Sequence, residues 1–210
     1  MVFRRFLTAL ATGGLLLAVP NVAAAQSPAP RAPASAASKP AAPKAASPKA
    51  ETKTAVPSIG GVEPTLIGQF GGWGAYTATP SGKKVCFALA KPTSSKTNPP
   101  NRPRDPAYAF VSSRPSEKVF NEVSIMIGYA VKPGSESTLE VGGASYAMYT
   151  QGDGLWIKNA AEEERMVEAM RRAPDAVVKA VSAKGTETTD TFSLKGLAQA
   201  LDRIAQDCRR

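Results

Sequence analysis

The feature that most constrains the fold of this chain is a series of short apolar runs separated by residues that favour turns. Nine runs follow one another at residues 70–76, 85–90, 108–112, 119–129, 137–141, 145–150, 155–157, 176–183 and 186–192. Turn-forming residues lie between them, for example Gly142-Gly143 and Gly152-Asp153-Gly154. Short runs joined by tight turns are typical of antiparallel pairing. The sequence therefore predicts a mainly β fold, an antiparallel β-sandwich or barrel-like domain with two short helices.

The two helices are predicted over about 159–173 and about 194–208. The first has Asn159 as a candidate N-cap, three glutamates at the positive end of the helix dipole, two arginines at the negative end, and Pro174 after its end. In the second, Ser193 is the candidate cap, and apolar residues recur on one face. Because Cys208 lies on that face, we expect its side chain to point toward the body of the domain.

The first 25 residues have the organisation of a secretory signal peptide. Arg4 and Arg5 precede an apolar stretch of about 14 residues, shorter than the roughly 20 that a membrane-spanning helix needs. We therefore expect cleavage between Ala25 and Gln26, no transmembrane span, and a periplasmic or secreted mature protein. Residues 26–65, with eleven Ala, eight Pro and no aromatic residue, predict a disordered linker. Residues 66–208 then form one β-rich domain.

The chain contains no histidine, and this absence excludes Ser-His-Asp and Cys-His mechanisms and histidine-based zinc sites. It also contains no P-loop and no G-x-S-x-G motif. The sequence predicts no catalytic residue, no metal site and no cofactor, and hence a protein that is not an enzyme. A carboxylate-dependent envelope hydrolase stays open, because the geometry of paired Asp and Glu side chains is invisible in a sequence. Trp73 and Trp156 are interpreted as core or rim aromatics rather than as platforms for sugar.

Positive charge lies mostly outside the predicted domain. Of the formal net charge of +9, the signal peptide carries +2, the linker +3 and the remainder +4. Nucleic acid is not an expected partner, because no interleaving of aromatic and basic residues occurs. Residues 91–106 predict a long loop with five prolines, and such loops are often functional. The basic residues of this loop are the candidate partner surface: Lys91, Lys96, Arg102 and Arg104.

The two cysteines, Cys86 and Cys208, are far apart in the sequence. Taken alone, each could be a nucleophile, a metal ligand or half of a disulfide. No histidine is present to activate a thiolate, and two cysteines cannot complete a four-thiolate metal site. In an exported protein, one cysteine on a core strand and one on the docking face of the last helix fit a disulfide. We therefore predict a Cys86–Cys208 bond.

Several motifs, in their order along the chain, resemble the invasion-associated locus B family. They are FGGWGAY, KVCFALAKP, YAFVSSRP, VSIMIGY, YAMYTQGDGLWIK, the EEER helix and TDTFSLKGLAQALDRIAQDC, and they extend over residues 66–208. The resemblance implies an exported bacterial protein with a β-rich domain. Members of that family often carry a cysteine soon after the tryptophan motif. Residues 74–79 contain none here, so Cys86 has no local partner.

The predicted export, the spacer and the absence of a catalytic motif together favour a non-enzymatic cell-envelope protein. We expect it to bind another envelope protein or a cell-wall polymer. The name of the family suggests an alternative, a host-interaction factor that acts outside the cell. The sequence indicates no oligomeric state.

Overall fold

The structure is a computed structural model, and it describes residues 56–208. The predicted signal peptide and residues 26–55 of the predicted linker lie outside the described residues. Residues 56–65, which their composition assigns to the linker, are described. Ile59 and Val62 form an isolated β-bridge there, and the first strand begins at Thr65.

Eleven strands and two helices make up the described part of the chain. The strands are β1 Thr65–Phe70, β2 Trp73–Ala78, β3 Val85–Ala90, β4 Ser94–Asn98, β5 Tyr108–Arg114, β6 Val119–Met126, β7 Ser137–Val141, β8 Ala144–Gln151, β9 Gly154–Ile157, β10 Asp175–Val181 and β11 Glu187–Ser193. The helices are α1 Glu163–Arg172 and α2 Leu197–Asp207, and 3₁₀ turns lie at Pro80–Gly82, Pro115–Glu117 and Ala160–Glu162.

The described strands form one open antiparallel sheet in the order β1-β2-β3-β5-β6-β9-β8-β7-β10-β11-β4. Its two edges are β1 and β4, so the ladder of hydrogen bonds does not close into a barrel. Most connections are short hairpins, as the turn residues predict. The prediction of a mainly β, antiparallel fold with two helices is therefore confirmed.

Two parts of the strand prediction are wrong. The run at 70–76 is not one strand but a hairpin, because β1 ends at Phe70, Gly71 turns with a φ of 58°, and β2 begins at Trp73. The segment 91–106 is not entirely a loop, because β4 lies inside it and pairs with β11. The sequence of β4, SSKTN, has no apolar alternation, since nearly all of its side chains are exposed on an edge strand.

The helices lie in the predicted regions with shorter bounds. Asn159 caps the 3₁₀ turn Ala160–Glu162 that leads into α1, since its Oδ1 accepts a hydrogen bond from the amide of Ala161 at 3.2 Å, whereas α1 itself follows Glu162 without a side-chain cap. Ser193 does not cap α2, because it is the last residue of β11. The cap is Gly196, whose φ is 96°, and a Cβ atom there would overlap the carbonyl oxygen of Phe70. The tight approach of this turn to the end of β1 therefore requires glycine.

Strand β3 is buried on both faces and separates two apolar clusters. Cys86, Ala88 and Ala90 face the main core, which includes the buried sides of α1 and α2. The residues between them face the opposite side of the sheet. Together with residues of the neighbouring strands β2 and β5, they form what we call the outer cluster: Tyr76, Val85, Phe87, Leu89 and Phe110. The alternation of β3 thus supports two separate surfaces with one strand.

Helix α2 is anchored on the first strands of the sheet by its apolar face and by a disulfide. Leu197, Leu201 and Ile204 are completely buried in the main core. The structure joins Cys86 of β3 to Cys208 at the end of α2, with 6.0 Å between their Cα atoms, as the sequence predicts. This bond fixes the end of the helix to the beginning of β3.

Polar contacts complete the anchoring of α2. The indole Nε1 of Trp73 donates to the carbonyl oxygen of Ser193 at 2.8 Å, and Arg203 Nε donates to that of Ile67 at 3.2 Å. Lys84 Nζ donates to the carbonyl oxygen of Asp207 at 2.7 Å. The helix is thus held along its length, and not only at the disulfide.

We expect the loss of the disulfide to weaken the fold without abolishing it. Closing a loop of 122 residues should contribute about 5 kcal/mol in the chain-entropy model, and measured losses are roughly 2–5 kcal/mol. Urea unfolding of the oxidised protein and of the Cys86→Ser/Cys208→Ser variant should therefore show a lower midpoint for the variant. Equal midpoints, or two free thiols by intact mass in protein purified without reductant, would contradict this prediction.

Candidate functional site

The side of the sheet that carries the outer cluster also holds a groove of about 570 Å³. Strand register aligns a row of side chains on this side of the sheet, over β3, β5, β6, β9 and β8: Leu89, Phe110, Ser124, Trp156 and Tyr149. The middle three of these residues line the groove. The small Ser124 leaves a gap between Phe110 and Trp156. The segment Pro57 to Gly60 forms a wall of the groove. We call this feature the outer-face groove.

Aromatic rings give the outer-face groove its shape. The rings of Tyr76 and Phe87 are stacked with centroids 5.4 Å apart, and those of Phe87 and Phe110 are 5.7 Å apart. At the other side, Trp156 stacks on Tyr149 at 5.8 Å. Such ring pairs contribute about 0.5–1.5 kcal/mol of stability beyond the effect of their buried area. The walls of the groove are therefore stabilised by contacts within the protein.

Gly154 positions the indole ring of Trp156. A Cβ atom on Gly154 would overlap the six-membered ring of Trp156, two residues further along the same strand. The ring therefore occupies the space above Gly154, and Tyr149, which is 47% exposed, packs beside it. In the sequence, Gly154 and Trp156 are two residues apart. Only the assignment of β9 as a strand shows that they lie on the same face of the sheet.

One end of the outer-face groove is formed by a charged network around Arg114. Its Nη1 and Nη2 atoms donate to the two carboxylate oxygens of Glu122 at 3.0 and 2.9 Å, and its Nε donates to Glu117 at 2.7 Å. The hydrogen bond with Glu122 raises the pKa of the Arg114 guanidinium above its ordinary value. Because both oxygens of Glu122 are bound, this carboxylate is committed to holding Arg114.

Glu163, at the start of α1, is a half-buried carboxylate close to this network. Burial is the main cause that raises its pKa above the ordinary value of 4.5, and repulsion by Glu122 adds to it. The hydrogen bond that it accepts from the amide of Val123 at 2.8 Å and the charge of Arg114 act in the opposite direction. Glu163 does not line the outer-face groove.

A second groove, of about 490 Å³, lies where residues 127–132 cross one end of the sheet. These residues follow β6 and bond to two hairpins: Ile127 N donates to Asp153 O at 2.9 Å, and Lys132 N donates to Val181 O at 2.9 Å. We call this groove the mouth cleft. Its polar lining includes Thr97, Arg102, Arg104, Tyr129, Lys184 and Thr188.

Arg104 is committed to the interior rather than to a partner. It forms an ion pair with Asp190, a completely buried residue of β11, and its Nη1 donates to Asp190 Oδ2 at 2.7 Å. The same guanidinium donates to the carbonyl oxygen of Ile127 and to Ser95 Oγ, and it lies over the ring of Tyr129. From its sequence context this arginine is predicted to lie on an exposed loop. It points inward instead, because the buried carboxylate of Asp190 pairs with it.

The other three residues of the predicted partner surface are exposed, but they do not all line the same groove. Lys91 lies 5.5 Å from the ring of Tyr108, Lys96 lies on β4, and Arg102 lines the mouth cleft. The fold brings Lys184, which the sequence analysis did not single out, into the same cleft as Arg102. This pairing depends on the contact between β4 and the β10–β11 hairpin, which no local pattern reveals.

Residues 56–208 contain no group of three or more Cys, Asp and Glu side chains arranged to hold a metal ion. Across the same part of the chain, no helix is long and apolar enough to cross a membrane.

The fold and the grooves define a class of protein, a disulfide-bonded antiparallel β domain with ligand-sized grooves on its sheet. The chain belongs to the Invasion associated locus B (IalB) protein family, whose model matches residues 73–205, more than half of the chain. This match confirms the family suggested by the sequence motifs. No curated protein and no solved structure matches the chain.

The ion pair of Arg104 gives a prediction with a matched control. Arg104→Ala leaves Asp190 buried without its cation, which should cost about 3–5 kcal/mol of unfolding free energy. Arg102→Ala removes a nearby exposed arginine and should change stability by less than about 0.5 kcal/mol. The free energy of unfolding of both variants, measured by chemical denaturation, tests this prediction. Equal losses in the two variants would contradict it, because they would show that the ion pair with Asp190 does not contribute to stability.

Glu163 gives a prediction about pH. Because its pKa is raised in the folded protein, folding favours the protonated form, and this contribution is lost as pH rises through the folded-state value. Glu163→Gln keeps an acceptor for the Val123 amide without the buried charge. The variant should therefore gain stability relative to wild type as pH rises above about 4.5 and through the raised folded-state pKa of Glu163.

Unfolding free energies measured across that pH range test the prediction, with the exposed neighbour in Glu164→Gln as the control. A difference between Glu163→Gln and wild type that stays constant with pH would contradict it.

Proposed function

We propose that this protein is exported and acts in the cell envelope as a non-enzymatic binding protein for another envelope protein or a cell-wall polymer. The observation that carries the proposal is the outer-face groove. It has the size of a ligand site, an apolar floor, and a charged end whose groups are bonded to one another. The disulfide supports an oxidising compartment, in agreement with the predicted signal peptide.

The arrangement of carboxylates supports binding rather than hydrolysis. A glycosidase-type mechanism needs one carboxyl group as a general acid and a second as a base or nucleophile. Both carboxylates of the groove lining are bonded to Arg114, Glu122 through both oxygens and Glu117 through one. Glu163 accepts a hydrogen bond from a backbone amide away from the groove lining.

The predicted basic surface enters the proposal in a revised form. Lys96, Arg102 and Lys184 are exposed side chains at or near the mouth cleft, whereas Arg104 belongs to the internal ion pair. These cations would attract an acidic partner and increase its rate of association, an effect that salt weakens. We therefore propose that these cations attract the partner and that the outer-face groove holds it once it is bound.

Site-specific crosslinking in the exported protein tests the proposal. A photoreactive residue at Ser116, which lines the outer-face groove, should capture a partner from the envelope. The same residue at Ser145, an exposed serine of β8 that lines neither groove, should not. Ser124→Trp should fill the gap between Phe110 and Trp156 and reduce capture at Ser116, whereas Ser145→Trp should not.

Fractionation tests the export part of the proposal. The mature protein should be recovered outside the cytoplasm and begin at Gln26. Equal capture from both positions, or protein that remains in the cytoplasm with residues 1–25 attached, would contradict the proposed function.

The description of the family supports a second candidate, a factor that takes part in invasion from outside the cell. It requires the protein to leave the cell. Protein found in the culture fluid or at the outer surface would support this candidate, and protein confined to the periplasm would contradict it.

A further inference from the structure

We propose that the outer-face groove binds a neutral oligosaccharide, with the indole ring of Trp156 as the surface on which one sugar ring stacks. This inference rests on the proposed binding function and names the ligand class for the same groove. It also revises the sequence-based interpretation of Trp156 as a core or rim aromatic rather than a platform for sugar.

The first argument is the combination of aromatic rings and hydroxyl groups. Beside Phe87, Phe110 and Trp156, the lining contains five serines: Ser58, Ser81, Ser112, Ser116 and Ser124. A sugar ring presents an apolar C–H face and a rim of hydroxyl groups. The rings can bury the C–H face, and serine hydroxyls can both donate to and accept from the rim. A purely apolar ligand such as an acyl chain would offer no hydrogen bond to these hydroxyls, although Ser112 Oγ already accepts one from Arg114 Nη1 at 3.3 Å.

The second argument is charge. The charged residues that line the groove are two cations, Lys83 and Arg114, and two anions, Glu117 and Glu122, so the formal charge of the lining is zero. Arg114 is bonded to both glutamates. An anionic ligand group would find the guanidinium already paired and only the exposed ammonium of Lys83 to compensate its desolvation, whereas a neutral ligand avoids this cost. The groove therefore fits an uncharged polymer better than an acidic one.

The third argument is that the protein fixes the position of the Trp156 ring. Gly154 leaves the space that the indole ring occupies, and Tyr149 supports the ring from the adjacent strand. Trp73, by contrast, is completely buried and bonded to the carbonyl oxygen of Ser193. Of the two tryptophans, Trp156 is thus the one placed at a groove, with its ring held before a ligand arrives. A wall fixed in advance loses little entropy on binding.

The experiment is a titration of the exported protein with N-acetylchitotriose and with maltotriose, followed by tryptophan emission and by calorimetry. At least one of these neutral sugars should bind saturably and change the emission of Trp156. Tyr149→Ala and Trp156→Ala should each weaken binding, the latter at least tenfold. Gly154→Ala keeps the indole but displaces it, so it should also weaken binding. Ser145→Ala, at an exposed position of β8 that lines neither groove, should leave the affinity unchanged.

Thermal unfolding of each variant shows whether it is folded, and the exposed Tyr149 provides a test even where Trp156→Ala unfolds. Absence of saturable binding of both sugars overturns the proposal. Binding that Tyr149→Ala and Gly154→Ala leave unchanged also overturns it, as does binding of anionic sugars or peptides alone. If the crosslink at Ser116 captures a protein while neither sugar binds, the proposed binding function stands and the assignment to a sugar fails.

Discussion

The fold depends on the attachment of α2 to β3. Strand β3 lies between β2 and β5, and it receives the disulfide from Cys208 on the side that faces the main core. The apolar face of α2 covers the same side, with Leu197, Leu201 and Ile204 completely buried. The attachment therefore fixes the position of a strand from which the groove on the other side is also built.

This arrangement links stability to the candidate site through a single strand. Val85 and Phe87 line the outer-face groove, and Cys86 between them points to the helix. Because successive side chains of a strand point in opposite directions, a displacement of Cys86 would also move its two neighbours. The cysteine that could be taken for an active-site nucleophile thus supports the outer-face groove from the opposite side of the sheet.

The sequence was sufficient for features that depend on local spacing. The helical spacing of Leu197, Leu201, Ile204 and Cys208 shows which face of α2 is buried, and the number of cysteines leaves one intramolecular pairing. Turn residues show where hairpins lie, except at Gly71-Gly72, where flanking apolar residues hide the turn. Such features follow from one segment at a time.

The sequence was insufficient where a feature depends on the register of distant strands. Asp190 lies between Thr188 and Phe192 at inward-facing positions of β11, so the pattern shows a carboxylate where burial is expected. A buried carboxylate needs a cation to compensate its charge, so the pattern predicts a cationic partner. It does not indicate that this partner is Arg104, 86 residues earlier. Similarly, Phe110, Ser124 and Trp156 form one row only after three strands have paired.

The distribution of charge separates attraction from recognition. The predicted linker and the neighbourhood of the mouth cleft carry excess lysine and arginine, whereas the lining of the outer-face groove has a formal charge of zero. Attraction between exposed charges extends about 8 Å at physiological salt and selects partners only by sign. Contacts in a groove act at van der Waals distance and select by shape and hydrogen bonding. A basic protein can therefore approach an anionic envelope and still retain a neutral ligand, because the two tasks use different residues.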